Sequence, residues 1–310
     1  MNTKPLLIAS AIAVGLAMPA TAQQSTTMIG LTDSSTQGGT SIPNLTGVWT
    51  HLYLGLEPPI SGPGPVTNRS RRNGARSVYQ YVGDYTNPIL KPQAAEIVKQ
   101  RGEISLTGVT LPNPTNQCWP AGVPYAFWNY AIHLIQQPNQ ITILYDNNEV
   151  RHVTMNEPHQ PQVKPSWYGD SVGHYEGDTL VVDTVGIKTG RPFAMVDIFG
   201  TPYTEALHVV ERYRLLDYEA AKEAQERGEK ENRRIPINDS GLNVDASYRG
   251  KGLQLVYTVD DDGVFTMPWT AVMTYRRASG DWPEFVCAEN IHEYYYNKNS
   301  EVPTADKPDF

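Results

Sequence analysis

The sequence predicts an all-β protein with minor helix, folded as an antiparallel up-and-down β-barrel. Three observations carry that expectation. Short β-rich runs follow one another along most of the chain. Tight-turn tripeptides such as Asp146-Asn147-Asn148 and Glu176-Gly177-Asp178 separate neighbouring runs, because Asn and Gly tolerate the left-handed backbone that hairpins demand. Charged residues make up only 19% of the chain, against 25 Gly, 24 Pro and 18 Tyr, a composition suited to strands and structured turns more than to a helical bundle. Closing such a series on itself removes its exposed edges, which favours a barrel. A β-sandwich is the alternative.

Residues 1–22 read as a secretory signal peptide: Lys4, the apolar run from Pro5 to Met18, then Ala20-Thr21-Ala22 as a small-residue cleavage site. The run is short for a bilayer span and no later segment approaches one, so a periplasmic or secreted product without membrane insertion is expected. Residues 23–43, rich in Ser, Thr, Gln and Gly, read as a flexible leader. A single domain is expected over 44–310, opening at Leu45-Thr46-Gly47-Val48-Trp49-Thr50. Glu57 to Arg76 packs prolines, glycines and four arginines into a long loop or lid.

A short helix is predicted from Pro92 to Arg101, with Ala94, Ala95, Ile97 and Val98 at helical spacing and Gly102 as its stop. A second is predicted from Tyr218 to about Arg227, behind Asp217 as a possible N-cap; it belongs to an acidic insertion, about 218–234, that should project from the barrel. The strands are placed at Gln140 to Tyr145, Glu149 to Met155, His174-Tyr175, Thr179 to Val185, Ala206 to Leu216, Leu253 to Val259, Val264 to Pro268, Trp269 to Arg276 and Glu284 to Ala288.

The formal charge of −8 gives no attraction for phosphate backbones or anionic lipid, so nucleic acid is not an expected partner. Cys118 and Cys287, the only two cysteines, should pair in an oxidising compartment and tie an early segment to the last strand. Loop-closure entropy sets an upper expectation of about 4–5 kcal/mol for that bridge. The competing reading is two separate thiols, one of them a nucleophile, although neither sits in a nucleophile motif. The seven histidines form no local chelate pair, and no Cys-x-x-Cys, Gly-x-Ser-x-Gly elbow, phosphate loop or dinucleotide fingerprint occurs, so no metal or cofactor is expected.

Parity along Ala206 to Leu215 separates Leu207, Val209, Glu211 and Tyr213 from His208, Val210, Arg212 and Arg214. Glu211 therefore shares a face with apolar residues. Such a carboxylate either gains a raised pKa, making it a usable acid or base, or closes an ion pair with an Arg of a neighbouring strand. His208 lies on the more polar face as a group tunable near neutral pH, or as a plain surface histidine. Asp183 keeps the apolar company of Val181 and Val185; its bland role is a partner for Arg212 or Arg214. The proline-stiffened loop Asn156 to Asp170 offers His159 and Trp167 as site-lining residues or as a barrel cap. Tyr175, Arg212 and Tyr213 complete the expected ligand contacts, with Glu289 as the inward residue of the closing segment Trp282 to Asn290.

Pro43 to Trp49, Glu176 to Gly186, Glu205 to Arg214 and Trp282 to Asn290 together resemble a widespread family of uncharacterised secreted bacterial proteins. The resemblance implies one shared domain and no particular reaction. Gly47-x-Trp49 is similar to the opening of lipocalin-type barrels, which implies a lipocalin-like closure. Tyr203-Thr204 stands where the family pattern implies His-Ser, so no role can rest on a histidine at 203.

Two functional expectations follow. The favoured one is an exported enzyme holding a small apolar or aromatic molecule in its barrel, with metal-free lyase, isomerase or cyclase chemistry carried by Asp183, His208, Glu211 and His159. The other is a carrier or sensor that binds the same class of molecule without turnover.

Overall fold

The computed structural model describes residues 35–37, 40–51, 55–57, 59, 61–69, 81–109, 111–128, 131–190, 194–231 and 242–287. Residues 1–22, expected to be a signal peptide, and Glu289 lie outside the described residues. Within the expected leader, β1 (Ser35–Gln37) and β2 (Thr40–Ile42) pair as a two-stranded sheet of their own.

The main sheet closes into a barrel. Its strands are β3 (Gly47–Thr50), β4 (Ile132–Gln136), β5 (Gln140–Tyr145), β6 (Val150–Met155), β7 (Asp170–Glu176), β8 (Thr179–Val185), β9 (His208–Leu216), β11 (Gly252–Asp260) and β12 (Trp269–Ser279), in that order round the ring, and β12 pairs back onto β3. The short β10 (Asn243–Val244) extends the sheet beside the end of β12. Alternate residues face inward, so that Leu180 and Val182 of β8, Glu211 and Tyr213 of β9, and Leu255 and Tyr257 of β11 meet through the register in a fully buried interior.

The barrel is mixed where an all-antiparallel one was expected: β6 and β7 run parallel. A ring of nine strands requires this, because directions cannot alternate all the way round an odd number. A parallel pair needs a crossover of about a dozen residues or more, and the segment 156–169 supplies it. That crossover runs back along β8, where Ser166 bridges Ile187, and Gly169 (φ +70°) passes so near the chain that a Cβ would meet the Val185 carbonyl at 2.4 Å.

Other element readings change as well. β4 was not anticipated. Val264 to Pro268 is a turn region whose Phe265 bridges Leu90, and Trp282 to Val286 forms no strand, so Cys287 joins Cys118 from an irregular segment. The disulfide itself is formed, with the two Cα atoms 5.5 Å apart. Helix α1 (Pro92–Leu106) runs straight through Gly102, where even a Cβ would stand 3.0 Å from Val82; the residue is small for packing and does not end the helix. Helix α2 (Tyr218–Glu231) does not project from the barrel. It lies on the outer wall, and its Ala221 approaches Gly252 of β11 so closely that a Cβ there would sit 2.4 Å from the alanine's.

One barrel end is covered by the 3-10 turn Tyr125–Trp128, whose Phe127 ring sits 4.9 Å from that of Tyr257. At the other end Gln136 of β4 accepts from the Leu45 and Thr46 amides and donates to the Pro43 carbonyl. Among the described residues no helix is long and apolar enough to cross a membrane.

Candidate functional site

Among the described residues the barrel interior contains one charged pair, and Glu211 is half of it. Its carboxylate is 0% exposed and receives Arg151 of β6 through both guanidinium nitrogens, Nη2 to Oε1 at 2.6 Å and Nη1 to Oε2 at 3.0 Å. Arg151 also donates from Nε to Ser171 at 3.1 Å and from Nη2 to Thr184 at 2.7 Å, which seats it against β7 and β8. Tyr213 donates its hydroxyl to Glu211 at 2.7 Å. Burial disfavours the Arg151 charge, but the adjoining Glu211 more than offsets this and holds the guanidinium protonated. Of the two roles open to Glu211, the structure shows the ion pair.

Arg151 is the member that sequence reasoning missed. The signal was present: on β6 it shares parity with Val153 and Met155, an arginine on an apolar face, as Glu211 is a carboxylate on one.

Four phenols gather around this pair. Tyr145, Tyr213, Tyr257 and Tyr275 are all fully buried; burial pushes each hydroxyl above its ordinary range, and the negative charge of Glu211 adds to the effect on every one. They stay neutral donors. Tyr213 has its acceptor, whereas the hydroxyls of Tyr257 and Tyr275 have no hydrogen-bond partner among the described residues. A buried donor left unmade costs about 1–3 kcal/mol.

The remaining acid–base candidates lie on the opposite face of the wall. Asp183 points outward from β8, and its Oδ1 accepts from His208 Nε2 at 2.8 Å and from His159 Nε2 at 3.0 Å. His159 turns its other nitrogen, Nδ1, to Asp170 Oδ2 at 2.9 Å, and the Gln160 amide reaches the same oxygen. The cluster fastens the crossover to β7, β8 and β9. Desolvation raises the Asp183 pKa, but the two imidazole donors outweigh it and the carboxyl ends below its ordinary value. His208 is raised, first by its bond to Asp183, against the opposing effect of desolvation. Its Nδ1 has no partner among the described residues. The expected alternative for Asp183, a pairing with Arg212 or Arg214, is not formed: Arg212 binds Glu176 at 2.6 Å and Arg214 binds the Gln254 carbonyl.

The sequence-nominated set is thus divided by the sheet. Asp183, His208 and His159 converge outside; Glu211 and Tyr213 lie inside. Tyr175 is inward-facing at the end of β7, where its hydroxyl accepts from Gln136 at 2.6 Å. Trp167 lies in the crossover, edge-on to Trp119 at 5.8 Å with the Lys188 ammonium 5.2 Å from its ring, and Arg212 is exposed on the outer wall. Next to Trp167, Tyr168 stacks on Tyr145 at 5.5 Å and donates to Glu149, so the crossover reaches the interior belt through one aromatic contact. Among the described residues no three His, Cys, Asp or Glu side chains are arranged to hold a metal ion.

No family model matches this chain, and neither a curated protein nor a solved structure matches it significantly.

Proposed function

We propose that this chain is an exported small-molecule-binding barrel that carries or senses its ligand, with recognition in the phenol belt around Arg151 and Glu211. The observation that carries the reading is the pair of fully buried hydroxyls, Tyr257 and Tyr275, without acceptors among the described residues. A ligand with an apolar or aromatic body and a hydrogen-bond acceptor supplies what they lack. Barrels of about eight strands are of a size either to fill with side chains or to hold one small molecule. The ion pair argues for binding over turnover, since Arg151 already takes the charge that Glu211 would need for proton transfer.

A second reading keeps the enzyme but moves it outside. Asp183 orients His208 with Nδ1 left toward solvent, which is the arrangement of a general base and its positioning carboxylate. The two readings separate in one titration with a fluorescent aromatic ketone such as Prodan, whose carbonyl is the acceptor the two hydroxyls call for. The carrier reading expects saturable binding, weakened at least tenfold in the Tyr257→Phe/Tyr275→Phe double variant and unchanged in His208→Ala. Absence of saturable binding by the wild-type barrel, or indifference to loss of both hydroxyls, refutes it.

A further inference from the structure

Both ends of the barrel are closed, by Phe127 against Tyr257 at one and by Gln136 with residues 43–46 and Tyr175 at the other. A molecule that reaches the interior therefore passes through the wall, and the wall is sealed unevenly. β5 pairs with β6 from Leu144–Val150 to Gln140–Thr154, and β7 with β8 from Asp170–Val185 to Glu176–Thr179. β6 pairs with β7 only at Thr154–Val172 and Met155–Gly173. Carried upward, that parallel register sets Ser171 beside Val153 and Asp170 beside His152, and neither position is paired. β12 also pairs briefly with β3, but there backbone bonds carry the seal on, from the Glu57 amide to Val272 and from the Thr270 amide to Pro63. Among the described residues the upper β6–β7 seam has no such continuation.

Side chains close it instead. On the inside, Arg151 of β6 donates from Nε to Ser171 of β7 at 3.1 Å. At the top Tyr168, two residues before β7, reaches across to the β5–β6 hairpin. Its ring stacks on that of the fully buried Tyr145 at 5.5 Å and 16° from parallel, and its hydroxyl donates to Glu149. Glu149 is a fixed anchor, since it also accepts from the Ala121 amide at 3.0 Å and from the Asn147 side chain at 2.7 Å. Tyr168 itself is only half-buried, and on the outer side of the seam Val150 and His152 are exposed. Tyr168 thus stands between solvent and the Tyr145 ring.

The backbone that carries Tyr168 is clamped on both sides. Ser166 is bonded through its amide to Gly186 at 3.1 Å and through its carbonyl to Lys188 at 2.8 Å, and its hydroxyl donates to the Gly169 carbonyl at 3.0 Å. Gly169 is wedged against the Val185 carbonyl. The freedom left at this position is side-chain torsion, which is fast where a side chain meets water. A swing away from Tyr145 gives up one stacking contact and one hydrogen bond.

We infer that the upper β6–β7 seam is the entrance to the barrel interior and that Tyr168 is its gate, opening by rotation of the side chain and closing again on Glu149. The inference rests on the interior-binding reading and adds the route: the small aromatic ligand enters sideways, past Arg151 and Ser171, and through neither end. Such a gate sets the rate of passage in both directions and leaves affinity alone.

Two measurements test it. In stopped-flow mixing with Prodan, Tyr168→Ala should raise the association and dissociation rate constants together, at least tenfold each, with Kd within about threefold of wild type. Tyr168→Phe, which keeps the ring and loses the bond to Glu149, should raise both several-fold, and it decides if Tyr168→Ala does not fold. Unchanged rates overturn the gate; so does faster dissociation alone, which would make Tyr168 a ligand contact. The second measurement needs no ligand. Ser171→Cys sets a thiol on the inner side of the seam, and Val181→Cys sets one that is buried on the outer wall. Each is labelled with methyl methanethiosulfonate under native conditions, with and without the Tyr168 substitution. Labelling at 171 should accelerate at least tenfold more than at 181. Equal acceleration at both positions shows general loosening, and none at 171 shows a closed wall; either overturns the gate. Should the wild type take up no Prodan, the interior-binding reading fails, and the thiol comparison alone still decides whether the seam opens at Tyr168.

Discussion

Replacing Glu211 by Gln removes one charge from a pair in which the carboxylate is 0% and the guanidinium 1% exposed. Arg151 cannot move to water, because Ser171 and Thr184 hold it from two other strands. Breaking a buried pair from one side costs about 3–5 kcal/mol, since the survivor is left as an uncompensated charge. Gln still offers an acceptor, which places this variant at the low end of that range and Glu211→Leu at the high end. For a domain of this size the loss is roughly 6–20 °C in melting temperature. The double variant Arg151→Met/Glu211→Leu removes both charges, and it should recover at least about 2 kcal/mol of the Glu211→Leu loss despite stranding the Tyr213 hydroxyl. Urea denaturation followed by tryptophan fluorescence reads all three. A Glu211→Leu loss under about 1 kcal/mol, or a double variant no better than the single, would show that the pair is not desolvated and that the inward placement of Glu211 is wrong.

The outer cluster predicts a pH dependence of defined sign. Folded His208 has a raised pKa, so its contribution is complete below its unfolded value and lost as pH rises through the higher folded value. Asp183 is lowered, so its contribution is present above its unfolded value and lost as pH falls through the lower folded one. The cluster is therefore strongest in mildly acidic solution. Both groups are more than a third exposed, which limits the effect to about 1 kcal/mol or less; His208→Gln should flatten the neutral-to-alkaline part of a melting-temperature profile, and an unchanged profile contradicts the assignment. Removing the disulfide with Cys118→Ser/Cys287→Ser opens a loop of 169 residues. The entropy model gives about 5 kcal/mol as its upper bound, and a loss of about 2–5 kcal/mol in chemical denaturation is expected. Tyr257→Phe alone should leave stability within about 1 kcal/mol of wild type or raise it, because it deletes an unsatisfied donor; a loss above about 2 kcal/mol points to an acceptor already in place.

How much of this was legible in the sequence depends on which physical signal each residue carries. Side-chain parity is local, and it placed Glu211, Val209 and Tyr213 together on the buried face of β9. For β8 parity grouped Asp183 with Val181 and Val185 correctly, but which face met water was not written in the strand itself; Val181 is buried on the outer wall. β4 was readable in retrospect, since Ile132, Leu134 and Gln136 alternate inward and Pro138 closes the run. Once that strand is counted, the odd ring obliges one parallel pair, a property of the whole barrel that no single run of residues states. The split of the candidate site was legible only in part: parity puts His208 and Glu211 on opposite faces of one strand, whereas the convergence of Asp183 and His159 on His208 outside the wall depends on how β8 and the crossover are placed by the closed sheet. Helix α2 misled for a related reason: its exposed surface is so charged that little besides Ala221, Ala224, Gln225 and Gly228 marks the face that docks.

Native mass spectrometry of the intact protein, purified without denaturation from the cells that make it, tests the interior-binding account most directly. The account predicts a species heavier than the disulfide-bonded polypeptide by one small organic molecule, released on denaturation and absent from the Tyr257→Phe/Tyr275→Phe variant. A wild-type mass equal to the bare chain, in a preparation that also fails to take up any aromatic probe, contradicts it.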